Sequence, residues 1–212
     1  MFYVLPHAQM CAHPSLRDQM LAHRGQQFIG RLNWDLPGAT RECEIDQYDA
    51  PGTTYCVVEK DGAHAASLRL RAPDTVTMTE DAFGHLWAPV ADTLADGLEV
   101  TRFCAAPDLH PDERSKVVSQ LLQGLCEYCL ERGVERVYGV VFPAVARTIR
   151  CAGWHGVQHI AAQSDVGMPA LMEWRVDEFV TCQIADRTSD ILDMRYAMRA
   201  AGDSMSAVAI AA

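Results

Sequence analysis

The chain has 212 residues, 49% hydrophobic and 22% charged, with 14 glycines and 10 prolines; this balance suits a globular chain with one sizeable core and excludes collagen-like, disordered and membrane-spanning classes. Eighteen Lys and Arg against 28 Asp and Glu leave a net charge of -10, which repels phosphate backbones and anionic bilayers and argues against nucleic acid or membrane as a partner. The N-terminal stretch has no basic region followed by an apolar block, so no secretory leader is read and a cytoplasmic protein is expected.

In chain order, the first predicted helix starts at Pro14-Ser15, with Ser15 as cap and Asp18 three residues on, and runs through Met20 and Arg24 to Phe28. Residues 33–51 hold Pro37, Gly38 and several acids without a helical or strand period; they read as a long ordered loop, a type of segment that usually carries function. Strands over 54–59 and 65–70 flank a Lys60-Asp61-Gly62 hairpin turn, and a third runs from Leu98 to Cys104. A helix follows from Pro111 to Arg132, with Val118, Leu121, Leu122, Leu125 and Cys129 on one stripe and Gly133 past its end. A buried-type strand over 134–142, a short helix over 143–152 closed by Gly153, a strand over 171–176 and a helix over about 186–199 complete the pattern. The tail, 201–212, is small and apolar and is expected to fray. Nothing divides the chain, so residues 1–212 are read as one α/β (α+β) domain.

Two groups of residues offer no chemistry of their own. The eight cysteines contain one C-x-x-C, Cys126 and Cys129, inside a helical pattern that puts both on one face; they are expected to be reduced core residues. The eight histidines form no helical metal pair, and no metal or cofactor is expected.

Three features stand out. Arg24, Phe28 and Trp34 combine a cation with two aromatics at a helix end. Glu44, Asp46 and Asp49 place three carboxylates within six residues, around Gln47 and Tyr48. Glu99, Thr101, Arg102 and Phe103 put charges into an apolar strand, where a charge is costly unless paired or functional. Taken singly these are a helix edge, a solvated loop and an edge strand.

Together, in this order and spacing over about residues 20–154, they resemble the acyl-homoserine-lactone synthase family, the autoinducer synthases. The R-x-x-x-F…W pattern is matched by Arg24, Phe28 and Trp34, the E-x-D-Q-Y-D block by Glu44, Asp46, Gln47, Tyr48 and Asp49, and the E-x-T-R-F motif by Glu99, Thr101, Arg102 and Phe103. Arg69 matches the family's strand arginine, with Arg71 as a competitor, and Phe83 a later aromatic. Leu98 stands where the family often has Trp. The resemblance implies a GNAT-like acyltransferase fold, a mixed splayed sheet flanked by helices, and quorum-sensing signal synthesis from S-adenosylmethionine, a substrate and not a cofactor, and an acyl thioester on acyl carrier protein or coenzyme A. The amine is acylated, and lactone closure then expels methylthioadenosine.

On that resemblance Glu99 is the expected general base, with Asp46, Asp49 and Arg102 beside it in the catalytic set. Arg24, Phe28, Trp34, Asp46, Asp49, Arg69, Phe83, Thr101, Arg102 and Phe103 are expected to hold S-adenosylmethionine. Val118, Leu122, Gly139, Val140 and Phe142 are candidate acyl walls; a Thr in place of Gly139 accompanies 3-oxo chains in the family, so the glycine leans the reading toward unsubstituted or 3-hydroxy chains. Glu99 and Arg102 are three apart and point to opposite faces of an ideal strand; if both line one site, a β-bulge lies between them. Between Arg102 and Arg150 seven basic residues face six acidic ones, so an acidic carrier protein is expected to dock on this segment, at Arg147 and Arg150 first and at Arg114 and Lys116 next. Two alternatives remain. One is an N-acetyltransferase using acetyl-CoA, disfavoured because the connection 105–114 has no glycine to cradle a pyrophosphate. The other is a non-catalytic ligand-binding homologue.

Overall fold

The computed structural model describes residues 1–161 and 169–187. Seven strands form one sheet in the order β1-β2-β3-β4-β5-β7-β6: β1 Phe2–Pro6, β2 Thr53–Lys60, β3 Ala63–Arg71, β4 Leu98–Ala105, β5 Arg136–Val141, β6 Gly156–Ala161 and β7 Ala170–Arg175. All neighbours are antiparallel except β4 and β5. That parallel contact consists of only two pairs, Leu98 with Val137 and Glu99 with Tyr138; beyond them the strands diverge. The mixed, splayed sheet matches the expected fold class.

Apolar periodicity decides what covers each face. Val117, Val118, Leu121, Leu122 and Leu125 of α6 (Pro111–Glu131) pack on Leu68 and Leu70 of β3, joined by Ile149 of α7 (Pro143–Cys151), Trp154 and Ile184. The other face carries α1 (His7–Cys11) and α2 (Pro14–Arg24), which bury Met10, Met20 and Leu21 against Tyr55 and Val57. Farther along, the short helices α3 (Met78–Ala82), α4 (Gly84–Trp87) and α5 (Ala91–Leu94) lie in the 78–94 segment, where Leu86 and Leu94 pack on Tyr138 and Leu171. Cys126 and Cys129 are free and fully buried in α6.

The sequence reading missed β1, α1, α3 to α5 and β6; each is six residues or shorter, too short for a period to show. Its helix cap was also wrong. His13 holds the cap position without a side-chain bond, Pro14 takes the first helical position, and Ser15 inside the helix accepts instead from Gln19 Nε2 at 3.3 Å. The last helix begins earlier than expected, being helical over 178–187; the remainder of the 186–199 expectation and the 201–212 tail lie outside the described residues.

Two local distortions aim the functional side chains. After Arg24 the helix widens into a π-turn, Gly25–Arg31, a form found frequently at functional sites. A Cβ on Gly25 would lie 2.6 Å from the Thr40 carbonyl oxygen, so only glycine lets the 33–51 loop pack this closely. In β4, Arg102 adopts φ +54°, and two residues, Arg102 and Phe103, oppose Leu68 alone in the β3 ladder. This is a β-bulge, and it turns Arg102 toward the face occupied by Thr101.

Candidate active site

The loop that lacks secondary structure is held by charge. Arg24 donates from Nε to Glu44 at 2.6 Å and from both terminal nitrogens to the Asp49 carboxylate at 2.9 and 2.8 Å. Arg69 forks onto both oxygens of Asp46 at 2.5 and 3.1 Å and bonds Thr101 Oγ1 through Nε. Arg102 joins the two pairs, donating to Glu44 at 3.0 Å and to Asp46 at 2.6 Å. Three guanidinium groups thus meet three carboxylates in a balanced network whose planar forks fix orientation as well as charge. Burial would push Asp49 up, but the hydrogen bonds and charge of Arg24, with Arg69 nearby, win and hold it well below the usual carboxylate range. Arg24 moves up for the same reason, the pull of Asp49 and Glu44 outweighing burial. Arg71 is not part of this set: it donates to the Val76 and Tyr48 carbonyls and to Thr53 Oγ1. Arg69 is therefore the network arginine.

Beside the network lies a cavity of about 1030 Å³. Its polar side is lined by Asp46, Tyr48, Thr101, Arg102, Phe28, Trp34, Met78 and Phe83, with Phe28 and Trp34 stacked at 4.9 Å and 8°. The apolar side reaches Leu122, Leu125, Val137, Ile149, Trp154 and Trp174 on the opposite face of the sheet. The cavity therefore passes through the sheet where β4 and β5 part.

Residues 8–173 match the family model described as autoinducer synthase. The chain belongs to the autoinducer synthase family. It is 30% identical over 163 residues to an acyl-homoserine-lactone synthase of Rhizobium etli, covering 75% of this chain and 76% of that one. It is 31% identical over 179 residues to one of Ralstonia nicotianae, covering 80% and 86%. Among solved structures it is similar in fold to a CoA-dependent acyl-homoserine lactone synthase, BjaI, with SAM and isopentyl-CoA, at a TM-score of 0.74 and 18% identity over 89% of each chain. This is a GNAT-like fold.

In this autoinducer synthase the expected site residues divide into two tiers. Phe28, Trp34, Asp46, Phe83, Thr101, Arg102 and Phe103 line the cavity. Arg24, Asp49 and Arg69 stand behind them, with side chains 1%, 2% and 0% exposed, and support the wall rather than form it. Of the acyl candidates, Leu122, Val140 and Phe142 line the cavity. Val118 and Gly139 do not. Val118 is packed in the core, and a Cβ on Gly139 would collide with the Val100 carbonyl, so no hydroxyl-bearing side chain fits there. Glu99 also departs from its expected place. It is fully buried and off the cavity wall, and its two oxygens accept the backbone N–H of Met78 at 3.0 Å and of Thr79 at 2.5 Å.

The sequence reading gave Tyr48, Met78, Trp154 and Trp174 no place in the site. Tyr48 lay within the quoted motif, and its hydroxyl donates to Asp81 at 2.5 Å; the other three carry no local signal. Arg147 and Arg150 line a second hollow of about 540 Å³ with His155 and Gln158, and this hollow shares Val141 and Pro143 with the main cavity. Arg114 and Lys116, in the first turns of α6, are not among its lining residues. Among the described residues no helix is long and apolar enough to cross a membrane.

Proposed function

We propose that this autoinducer synthase makes an acyl-homoserine lactone from S-adenosylmethionine and an acyl thioester within the through-sheet cavity. The observation that carries the reading is the cavity's division: charge and aromatic surface on one side, an apolar pocket on the other, and the gap between β4 and β5 joining them. BjaI, whose fold is similar, has been solved with SAM and isopentyl-CoA.

Phe28, Trp34 and Phe83 would hold the adenosine and sulfonium, where cation–π attraction contributes about 0.5–2 kcal/mol. Asp46 has a side chain 14% exposed against 1% and 2% for Glu44 and Asp49; it is the network carboxylate that the substrate ammonium can reach. The ammonium proton leaves to Asp46, directly or through one water. The free amine attacks the thioester carbonyl, backbone N–H groups freed by the divergence of β4 and β5 steady the oxyanion, and the thiol departs. The substrate carboxylate then attacks its own γ-carbon, the carbon–sulfur bond breaks, and methylthioadenosine leaves.

The hollow holding Arg147 and Arg150 opens beside this gap, which favours an acidic acyl carrier protein as donor, docked there with its acyl arm in the cavity. Coenzyme A thioesters are the second reading, supported by the CoA dependence of BjaI. Incubation with S-adenosylmethionine and either acyl-carrier or acyl-CoA thioesters should release methylthioadenosine and a lactone; no release with any donor refutes the function. Reversal of Arg147 and Arg150 to Glu should raise KM for the carrier-bound donor about tenfold while leaving KM for S-adenosylmethionine unchanged.

A further inference from the structure

The geometry points to Glu99 as a positioning residue that holds the 76–83 segment against the cavity through backbone amides. This rests on the proposed reaction and changes the role expected for a fully buried carboxylate of the motif. A general base needs a lone pair within reach of the substrate proton. Glu99 is 0% exposed and does not line the cavity, and its two oxygens are turned to the backbone N–H groups of Met78 and Thr79 instead.

No salt bridge to Glu99 is present among the described residues. Its charge is met instead by the amide dipoles that open α3, a favourable place for an anion. The same segment is tied at two more points. Arg71 Nε donates to the Val76 carbonyl at 2.7 Å, and Tyr48 donates to Asp81. Glu99 is the middle tie and the one closest to Met78, whose sulfur lies 3.2 Å from an Arg102 nitrogen on the cavity wall. Phe83 stands at the end of α3 on the same wall. Moving the first turn of α3 therefore moves two side chains that shape the adenosine side.

Methylthioadenosine separates the two roles, because it carries the adenosine and sulfur but no amine to deprotonate. In Glu99→Gln one oxygen is replaced by a donor that opposes an amide N–H; in Glu99→Asp the carboxylate stays but is one methylene short of spanning both amides. We expect both variants to bind methylthioadenosine at least tenfold more weakly. Their residual kcat/KM should keep the wild-type pH profile, and amide exchange should accelerate at Met78 and Thr79 while β2 and β3 stay protected. The proposal is overturned if Glu99→Gln binds methylthioadenosine as tightly as wild type while kcat collapses and the acidic limb of the pH profile disappears. Unchanged exchange at Met78 and Thr79 in Glu99→Asp would overturn it equally. Failure of the synthase reading would look different: wild-type protein would neither bind nor release methylthioadenosine, and the exchange comparison would still judge the tie.

Discussion

The two sides of the cavity are built on opposite principles. On the polar side, Arg24, Arg69 and Arg102 interlock with Glu44, Asp46 and Asp49, and each member answers to at least one particular partner. On the apolar side, Leu122, Leu125, Val137, Ile149, Trp154 and Trp174 need only fill space, and apolar residues of similar volume can exchange there at modest cost. On the proposed function, the amine substrate is thus specified by residue identity, and the acyl chain by shape.

The largest break in this contrast should come from Arg24→Met. It strands Glu44 and Asp49, whose side chains are 1% and 2% exposed, and should cost about 3–5 kcal/mol of unfolding free energy, measurable by urea denaturation. Asp46→Asn removes the proposed proton acceptor, and kcat/KM should fall on the order of 100-fold, the scale of a lost acid–base group. The stability loss should be smaller than for Arg24→Met, because Asp46 is partly exposed.

Acid sensitivity should separate the network from what lies behind it. Asp49 is held well below the ordinary carboxylate range, so its contribution is complete above its unfolded value near pH 4 and falls only below it. His64 behaves otherwise. It is 2% exposed and bonded to His23 and to Ser67; burial first, then the nearby His23 and Arg24, lower its pKa to about 3. The folded protein keeps it neutral, so stability is full above the unfolded value of about 6.5 and is lost as the pH falls toward 3. About 2 kcal/mol should be gone at pH 5, at about 1.4 kcal/mol per pH unit, and His64→Gln should flatten that slope in urea midpoints between pH 7 and 5. The smallest effect belongs to the apolar side. Leu122→Val should cost about 1 kcal/mol and shift the lactone products toward longer chains, with methylthioadenosine affinity unchanged.

Legibility in the sequence followed the same divide. Arg24, Glu44, Asp46, Asp49 and Arg102 could be read because a buried charge needs a partner, and partners of fixed type at fixed spacing leave a pattern. The spacing of Glu99 and Arg102 tied a bulge to both lining one site; the bulge is present at Arg102, but only Arg102 of the two lines the cavity. What the pattern could not carry was depth. Glu99 and Asp46 are both motif carboxylates, yet one faces the amides of α3 and the other faces the cavity. On the apolar side, Val118 and Leu122 are one helical turn apart with the same chemistry, and only the divergence of β4 and β5 decides that Leu122 reaches the cavity. The long helices and central strands were legible from their periods. The short helices over 78–94 and the edge strands were not, since their residues are fixed by contacts distant in sequence.

The two-pair contact between β4 and β5 makes the sheet resemble a book with a short spine. One leaf, β1 to β4, is backed by α6; the other, β5 to β7, has only its own antiparallel hydrogen bonds and the helices beside it. A chain threaded between them meets a width set by how far the leaves open. Stiffening the spine at Leu98, whose side chain does not line the cavity, is therefore a route to a more selective enzyme, and loosening it a route to a more permissive one.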